Sequence, residues 1–532
     1  MRLIIFCILL SVLFSCKQKE TKKQVVEKRD TTINTKNAFT ELFFDSTHLE
    51  TFIQQHHLKD EDANLFRNFY NTRNYQYAWF SNDGPAEQVY SFLNLQNNYI
   101  AYSGDSSLAD PALEQVFDTL ENGGRMIPFN DSSRLNAELT LTNQFFRYAA
   151  KAYVGNRLLN TNDLKWFIPR KKTDLSATLD SLISHKGENL KNYEPVNPYY
   201  QHLKEALINY YAIEKNHGWD AIVTDRKKFQ KGDTAATIAK IKKRLLLSRD
   251  FIQPDSSDLF TDSLVIAVKK FQRRYGLKED GVIAGATLQE MNQPITKRIR
   301  QMLINLERMR WVPEKINTDY LLVNIPEFKL HVFEQGKLNF SMNVVVGSGQ
   351  NNTVIFSGDL KYVVFSPYWN VPEGILKKEV LPGMSRDKNY LAKHNMEING
   401  YTGSTPNIRQ KPGLNNSLGK VKFLFPNNYS IYMHDTPAKS LFGENKRAFS
   451  HGCIRLGEPK KLAEFLLRSD STWTSGKIDA AMNSGKEKYV TLKQTVPVFI
   501  GYFTAWVDSN GELNFRDDVY GHDAKLAKKM FE

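Results

Sequence analysis

Apolar positions fall into four textures along the 532-residue chain. After Met1 and Arg2 comes a nearly unbroken apolar run to Phe14, shorter than the ~20 residues a membrane-spanning helix needs, and this pattern reads as an export signal over 1–16. Residues 17–40 are polar, charged and aperiodic, as a tether is. From 41 to 225 apolar residues recur every three to four positions, as at Leu141, Phe145, Tyr148, Ala149 and Ala152, which predicts a helical domain. Its aromatics Tyr75, Tyr77, Trp79, Phe80, Tyr199 and Tyr200 read as core. Residues 226–292 carry the rhythm Ile238, Ile241, Leu245, Leu246 and then Leu264, Ala267, Val268, Phe271, Tyr275, an Asp280-Gly281 turn, and Thr287, Leu288, Met291. That predicts a small helical domain, followed by a basic linker helix within 293–315. From 316 the period drops to two. Tyr320–Ile325, Phe328–Phe333, a Glu334–Lys337 turn and Leu338–Val346 read as a meander, with Val354–Phe365 and Pro497–Val507 as later strands. A helical-looking segment, Ile375–Lys393, interrupts them. The fold class is therefore multidomain α+β, ending in a mainly-β domain over 316–522 that a helical insert interrupts at 366–425.

Composition narrows the functional classes. A hydrophobic content of 41% with 12% aromatics excludes wholesale disorder. Lys+Arg number 71 against 58 Asp+Glu, a net charge of +13, and residues 226–315 hold 20 basic against 10 acidic side chains, or +10 of that excess. An anionic partner and a merely solvated face both account for such a run. The three cysteines are Cys7, Cys16 and Cys453. Leu13-Phe14-Ser15-Cys16 resembles the bacterial lipoprotein box, with Phe14 bulkier than the usual occupant. The resemblance implies cleavage before Cys16, acylation of its thiol, and an exported, membrane-anchored lipoprotein facing the periplasm or cell wall. Cys453 is then the one remaining thiol, and no intramolecular disulfide is available.

The densest chemistry lies in Ile431-Tyr-Met-His434 and, after fifteen intervening residues, Ser450-His451-Gly452-Cys453-Ile454-Arg455-Leu456. A thiol attacks an acyl group as thiolate, and a free cysteine of pKa ~8.5 is only a few per cent ionised near neutrality, so it needs a base. His434, ending an apolar strand, supplies one if the fold returns Cys453 beside it. Gly452 lets the backbone approach closely, and main-chain N–H groups around Cys453 are candidate oxyanion donors.

His, fifteen residues, then Ser-His-Gly-Cys with a hydrophobic residue and Arg is similar to the signature of the L,D-transpeptidase (YkuD-type) catalytic domain. Ser366–Pro372, Lys378–Pro382, Arg409–Gly413, Asn416–Phe423, His434–Pro437, Leu441-Phe442 and Arg447-Ala448 resemble the large, multidomain branch of that family, in which a helical scaffold domain and a peptidoglycan-binding domain precede the catalytic domain. Ala267-Val268, Phe271-Gln272, Gly276-Leu277, Asp280-Gly281 and Thr287-Leu288 likewise resemble the three-helix peptidoglycan-binding domain, although Asp255–Phe260 replaces the usual Asp-Gly turn between its halves. The resemblance implies Cys453 as nucleophile, His434 as general acid and base, the Gly452 and Cys453 N–H groups as oxyanion hole and His451 in a supporting role. The substrates it implies are peptidoglycan stem peptides, a tetrapeptide donor and an amine acceptor joined in a crosslink between third residues. Attachment of a protein or exchange of a terminal D-amino acid would use the same site. Arg455 or Arg409 is the candidate partner of stem carboxylates, with a structural ion pair as the alternative for Arg455. Trp369 and Tyr368 line the acyl site or pack the core. The insert is a candidate lid over the thioester.

Rival readings are a zinc site built from His434, His451 and Cys453, a non-catalytic peptidoglycan-binding lipoprotein, and a papain-like or NlpC-like peptidase, whose Cys precedes its His. Nucleic-acid binding conflicts with an export signal and lacks a base-stacking or groove-reading motif. Neither a Gly-rich phosphate loop nor a Rossmann fingerprint occurs, and no cofactor is expected.

Overall fold

The computed structural model describes residues 26–111, 113, 131–189, 194–252 and 257–532. The signal segment, Cys16 and the start of the tether lie outside them, as does Asp255 of the exchanged turn. The chain divides into two compact units. One comprises the described residues up to Gln96 with Leu108–Tyr148 and Asp174–Tyr193, and the other Asn97–Ser107, Ala149–Thr173 and Glu194–Glu532.

The first unit is helical. Helices Ser46–Gln55, Asp60–Asn71, Asp131–Ala149 and Leu175–Ser184 contribute to it, and Phe66, Phe69, Tyr70, Trp79 and Phe92 are buried in its core. Glu138 satisfies the irregular Ala78–Trp79 backbone from inside, accepting the Ala78 N–H at 2.6 Å, the Trp79 N–H at 3.0 Å and the Tyr70 hydroxyl at 3.0 Å. Five of the six aromatics read as core are buried, Tyr199 being intermediate.

In the second unit, helices Ala236–Leu247, Asp262–Arg274 and Gly285–Met291 form the small helical module. Buried Gln272 explains its Asp-Gly motif. Its amide nitrogen donates to Asp280 Oδ1 at 2.9 Å, and its Oε1 accepts the Gly281 N–H at 2.8 Å. Gly281 has φ +74°, and a Cβ there would meet Val265 at 2.8 Å.

The mainly-β domain is built on nine strands: β1 Tyr320–Asn324, β2 Lys329–Glu334, β3 Lys337–Gly347, β4 Phe356–Phe365, β5 Val421–Leu424, β6 Met433–His434, β7 Ala448–Ser450, β8 Ile454–Leu456 and β9 Lys488–Gly501. Their order is β7-β3-β8-β6-β5-β4-β9-β1-β2, and β2 also pairs with β3, so eight strands close on themselves and β7 adds to β3. Closure leaves few free strand edges. Gln335 and Gly336, both at positive φ (47° and 79°), make the tight β2–β3 turn that a hairpin prefers. The strand expected at Pro497–Val507 is instead two elements. β9 starts earlier, at Lys488, with a register shift between Thr491 and Val496, and Ala505–Val507 pairs separately with Leu513–Phe515.

The insert is not purely helical, which corrects the sequence expectation. Helical turns cover Glu373–Arg386 and Tyr390–Lys393, but Met396–Thr402 and Thr405–Gln410 form a hairpin whose second strand pairs with Trp369–Asn370. The insert has its own small core of Leu376, Val380 and Ile408. The main core continues to Leu526 of the last helix, His522–Phe531.

Candidate active site

Strand register places the chemistry. β6 and β8 run parallel with Met433 opposite Ile454 and His434 opposite Arg455. Met433 and Ile454 are fully buried in the core. Successive strand side chains alternate faces, so Tyr432 and His434 on one strand, and Arg455 and the preceding Cys453 on the other, share the opposite face. The Ile454 N–H donates to Tyr432 O at 3.1 Å, which carries the pairing back to the edge of Cys453. One strand further, β5 sets Lys422 opposite His434. A row Lys422, His434, Arg455 thus crosses three neighbouring strands.

The loop carrying Cys453 is pinned from beneath. Buried Ser450 donates its hydroxyl to Cys453 O at 2.6 Å and accepts the Gly452 N–H at 3.1 Å. Thr353 donates to Gly452 O at 2.8 Å while accepting the Gly347 N–H at 2.8 Å. Gly452 takes φ +116°, a conformation that favours glycine. Among the described residues no acceptor takes up the Cys453 N–H.

His434 is buried, and its Nδ1–H donates to Asp435 O at 2.5 Å. That bond fixes the tautomer and leaves the Nε2 lone pair free to accept a proton. Burial, with a smaller contribution from the Arg455 charge, pushes the imidazole down to about 4, so it is neutral at pH 7. Burial also pushes the Cys453 thiol up, opposed by the Tyr432 backbone, the Tyr432 side chain and the Arg455 charge. The resting pair is therefore thiol and neutral imidazole. In this resting arrangement the thiol donates to Ser430 O at 3.8 Å.

Residues 318–496 match the family model described as "L,D-transpeptidase catalytic domain" (YkuD). The chain carries an L,D-transpeptidase domain. Residues 64–207 match the model "Scaffold domain" and 237–291 the model "Putative peptidoglycan binding domain". A curated protein of Haemophilus influenzae named "Putative L,D-transpeptidase" is 32% identical over 243 residues, covering 43% of this chain and 49% of that protein, so the chain spans about half the length of the curated relative it matches. Among solved structures, the L,D-transpeptidase of Xylanimonas cellulosilytica is 13% identical at TM-score 0.18, covering 52% of this chain and 100% of that one. The L,D-transpeptidase of Mycobacterium smegmatis is 13% identical at TM-score 0.19, covering 34% and 58%.

Within the L,D-transpeptidase domain, Cys453, His434 and Arg455 share one face. Arg455 forms no ion pair among the described residues, and its Nε is buried without a hydrogen-bond partner, so the structural ion pair considered for it is not found. Arg409 lies in the insert. Its guanidinium is held by Glu397 at 2.7 Å and 2.8 Å and stacks 3.9 Å over the Tyr368 ring, bracing the insert rather than offering a free fork to substrate. Tyr368 and Trp369 are half-buried at the root of the insert, outside the domain core. The Gly452 N–H, expected as an oxyanion donor, is taken by Ser450 Oγ, while the Cys453 N–H has no acceptor among the described residues. His451 is exposed, 3.8 Å from Glu379 of the insert, a contact joining the insert to the cysteine loop. Among the described residues no cluster of three or more His, Cys, Asp and Glu is arranged to hold a metal ion. The sequence reading missed Tyr432, Lys422 and Thr353. Tyr432 was findable from alternation, two residues before His434; the other two are placed by pairings no local pattern encodes.

Proposed function

We propose that this chain is a cell-wall L,D-transpeptidase that forms 3-3 crosslinks through a thioester on Cys453. The observation that carries the reading is the register that puts Cys453 and a tautomer-fixed His434 on one sheet face within the L,D-transpeptidase domain. His434 Nε2 takes the thiol proton as Cys453 Sγ bonds to the carbonyl carbon between the third stem residue and the terminal D-alanine. The tetrahedral oxyanion is met by the Cys453 N–H. On collapse the C–N bond breaks, His434 returns the proton to the departing nitrogen, and D-alanine leaves. The amine of a second stem then attacks the thioester while giving a proton to His434; the new C–N bond forms, the C–S bond breaks and the thiolate regains that proton. The neutral resting pair suits this order, because the base acts only once substrate excludes water. The insert acts as a lid, with Glu379 and His451 at its contact with the loop. Cys16 carries the lipid that anchors the enzyme, facing the wall, and the peptidoglycan-binding domain holds it on its polymer.

Incubating the protein and its Cys453→Ala variant with tetrapeptide-containing sacculi and weighing the released muropeptides tests this. Crosslinked dimers from the parent and none from the variant are expected. Dimers from both remove Cys453 from the reaction, and hydrolysed stems dominating despite acceptor remove the lid.

A further inference from the structure

Lys422 is a buried cation without a close partner. It is 8% exposed, and its ammonium has three donors, yet its acceptors are distant: Tyr368 O at 3.4 Å and Glu487 Oε1 at 3.6 Å. Both lie beyond the 2.7–3.2 Å of a well-formed N–H···O bond. Glu487 is itself engaged, accepting the Tyr368 N–H at 2.9 Å. Burying a charge so loosely satisfied costs stability unless an anion completes the site.

The position of Lys422 says which anion. Across the sheet face the order of strands is β8, which Cys453 immediately precedes, then β6 with His434, then β5 with Lys422 directly opposite His434. In acyl transfer that order is also the order of bonds. Sulfur meets the acyl carbon, His434 protonates the departing nitrogen, and the group attached to that nitrogen projects one strand further, ~4.8 Å on. In a departing D-amino acid the carboxylate sits two bonds from that nitrogen, within reach of a lysine on the next strand.

We propose that Lys422 is the anchor for the free carboxylate of the leaving D-amino acid, a specificity-determining contact of the donor site. The assignment rests on the acyl-transfer reading above. It makes the enzyme select donors that end at the scissile residue, since a neutral terminus leaves the buried ammonium with only its long contacts to Tyr368 O and Glu487.

The test compares a muramyl tetrapeptide donor with the same donor ending in a carboxamide, following the Cys453 adduct by intact-protein mass. The parent is expected to acylate on the order of 10–100-fold faster with the carboxylate, the range of a charge-assisted hydrogen bond. Lys422→Met brings the two donors together, and Lys422→Arg restores the preference. A purely structural lysine slows both donors alike and keeps their ratio, which overturns the assignment. Absence of any adduct in the parent with either donor overturns the acyl-transfer reading and the assignment together, and is distinct from an adduct whose ratio ignores Lys422. Thermal unfolding of each variant confirms that folded protein is compared.

Discussion

Two regions of the second unit bury cations and treat them in opposite ways. In the basic stretch 226–315, Lys242, Arg244, Arg274, Arg298, Arg308 and Arg310 are all buried, six of its twenty basic side chains. Each has a close partner. Arg274 meets Asp250 at 2.6 Å, Arg308 meets Asp523 at 2.5 Å, Arg310 meets Glu307 at 2.8 Å and Arg298 pairs with Glu290. Arg244 lies 3.6 Å over the Trp219 ring and donates its Nε to Met291 O at 3.0 Å, its Nη1 and Nη2 being buried without a hydrogen-bond partner as Arg298 Nε is, and Lys242 donates to Ser257 O at 2.8 Å. Several of these contacts join the small helical module or its linker helix to the end of the chain, as when Arg274 Nε donates to Leu513 O at 2.6 Å. On the catalytic face, Arg455 and Lys422 are left with an orphaned Nε and only long contacts. What separates the two regions is the close carboxylate: four of the six cations of the basic stretch have one, whereas Lys422 meets Glu487 only at 3.6 Å and Arg455 forms no ion pair among the described residues. Six of the twenty cations of 226–315 are therefore committed inside the fold and are not available to an acidic polymer.

The largest effect expected from this contrast is on stability. Asp250→Ala leaves the Arg274 guanidinium buried against the Ser248 and Leu513 carbonyls without its carboxylate. Removing one partner of such a pair costs about 3–5 kcal/mol, readable in urea unfolding, while the folded fraction still forms the Cys453 adduct. A cost under about 1 kcal/mol would show that the pair is not what holds these segments.

Arg455→Met should do the reverse. No carboxylate is abandoned, so the unfolding midpoint stays within about 1 kcal/mol of the parent. Acylation by a tetrapeptide donor falls on the order of 10–100-fold, the range of a lost charge-assisted contact. A large loss of stability with acylation intact would place Arg455 among the structural cations instead.

The sequence carried Cys453 and His434 plainly, because both lie in a compact motif, and carried the helical and meander textures, because burial imposes their periods. It could not sort the arginines. Arg409 and Arg455 look alike along the chain, and only the pairing of Glu397 with Arg409 across the insert hairpin occupies one of them. That hairpin was itself invisible, since Met396–Thr402 has no buried alternation to betray a strand. The two- and three-residue strands β6 and β8 are too short for a period. Lys422 gained its meaning from lying opposite His434 across two separate strands. The early start of β9 was masked by Lys488 and Lys493 and by the register shift that follows Thr491.

The catalytic face also differs in how it titrates. With His434 held down to about 4 and the Cys453 thiol raised by burial, both groups are neutral through pH 5–8. Alkylation of Cys453 by iodoacetamide should therefore climb as pH rises through the raised thiol value, with no thiolate plateau on the acid side. Arg455 favours the thiolate, so Arg455→Met shifts the climb to higher pH. A flat, fast rate from pH 5 to 8 would mean a preformed thiolate–imidazolium pair and would remove the neutral resting state.

The smallest effect is expected at the exposed remainder of the basic stretch. Lys227, Lys228 and Lys243 are solvent-exposed, and solvated charges act over about 8 Å at physiological ionic strength. Reversing the three to Glu should weaken sacculus binding a few-fold at low salt, with the difference fading as salt is added, because stem carboxylates are the polymer's fixed anions. Cys453 acylation by a soluble donor stays at the parent rate, since these side chains lie in the small helical module and not on the sheet face. Because six of the twenty cations are already committed inside the fold, the slope of binding against salt should be shallower than twenty free charges would give. A slope unmoved by the reversals would assign the exposed lysines to solubility, leaving the partnered arginines as the reason this stretch is basic at all.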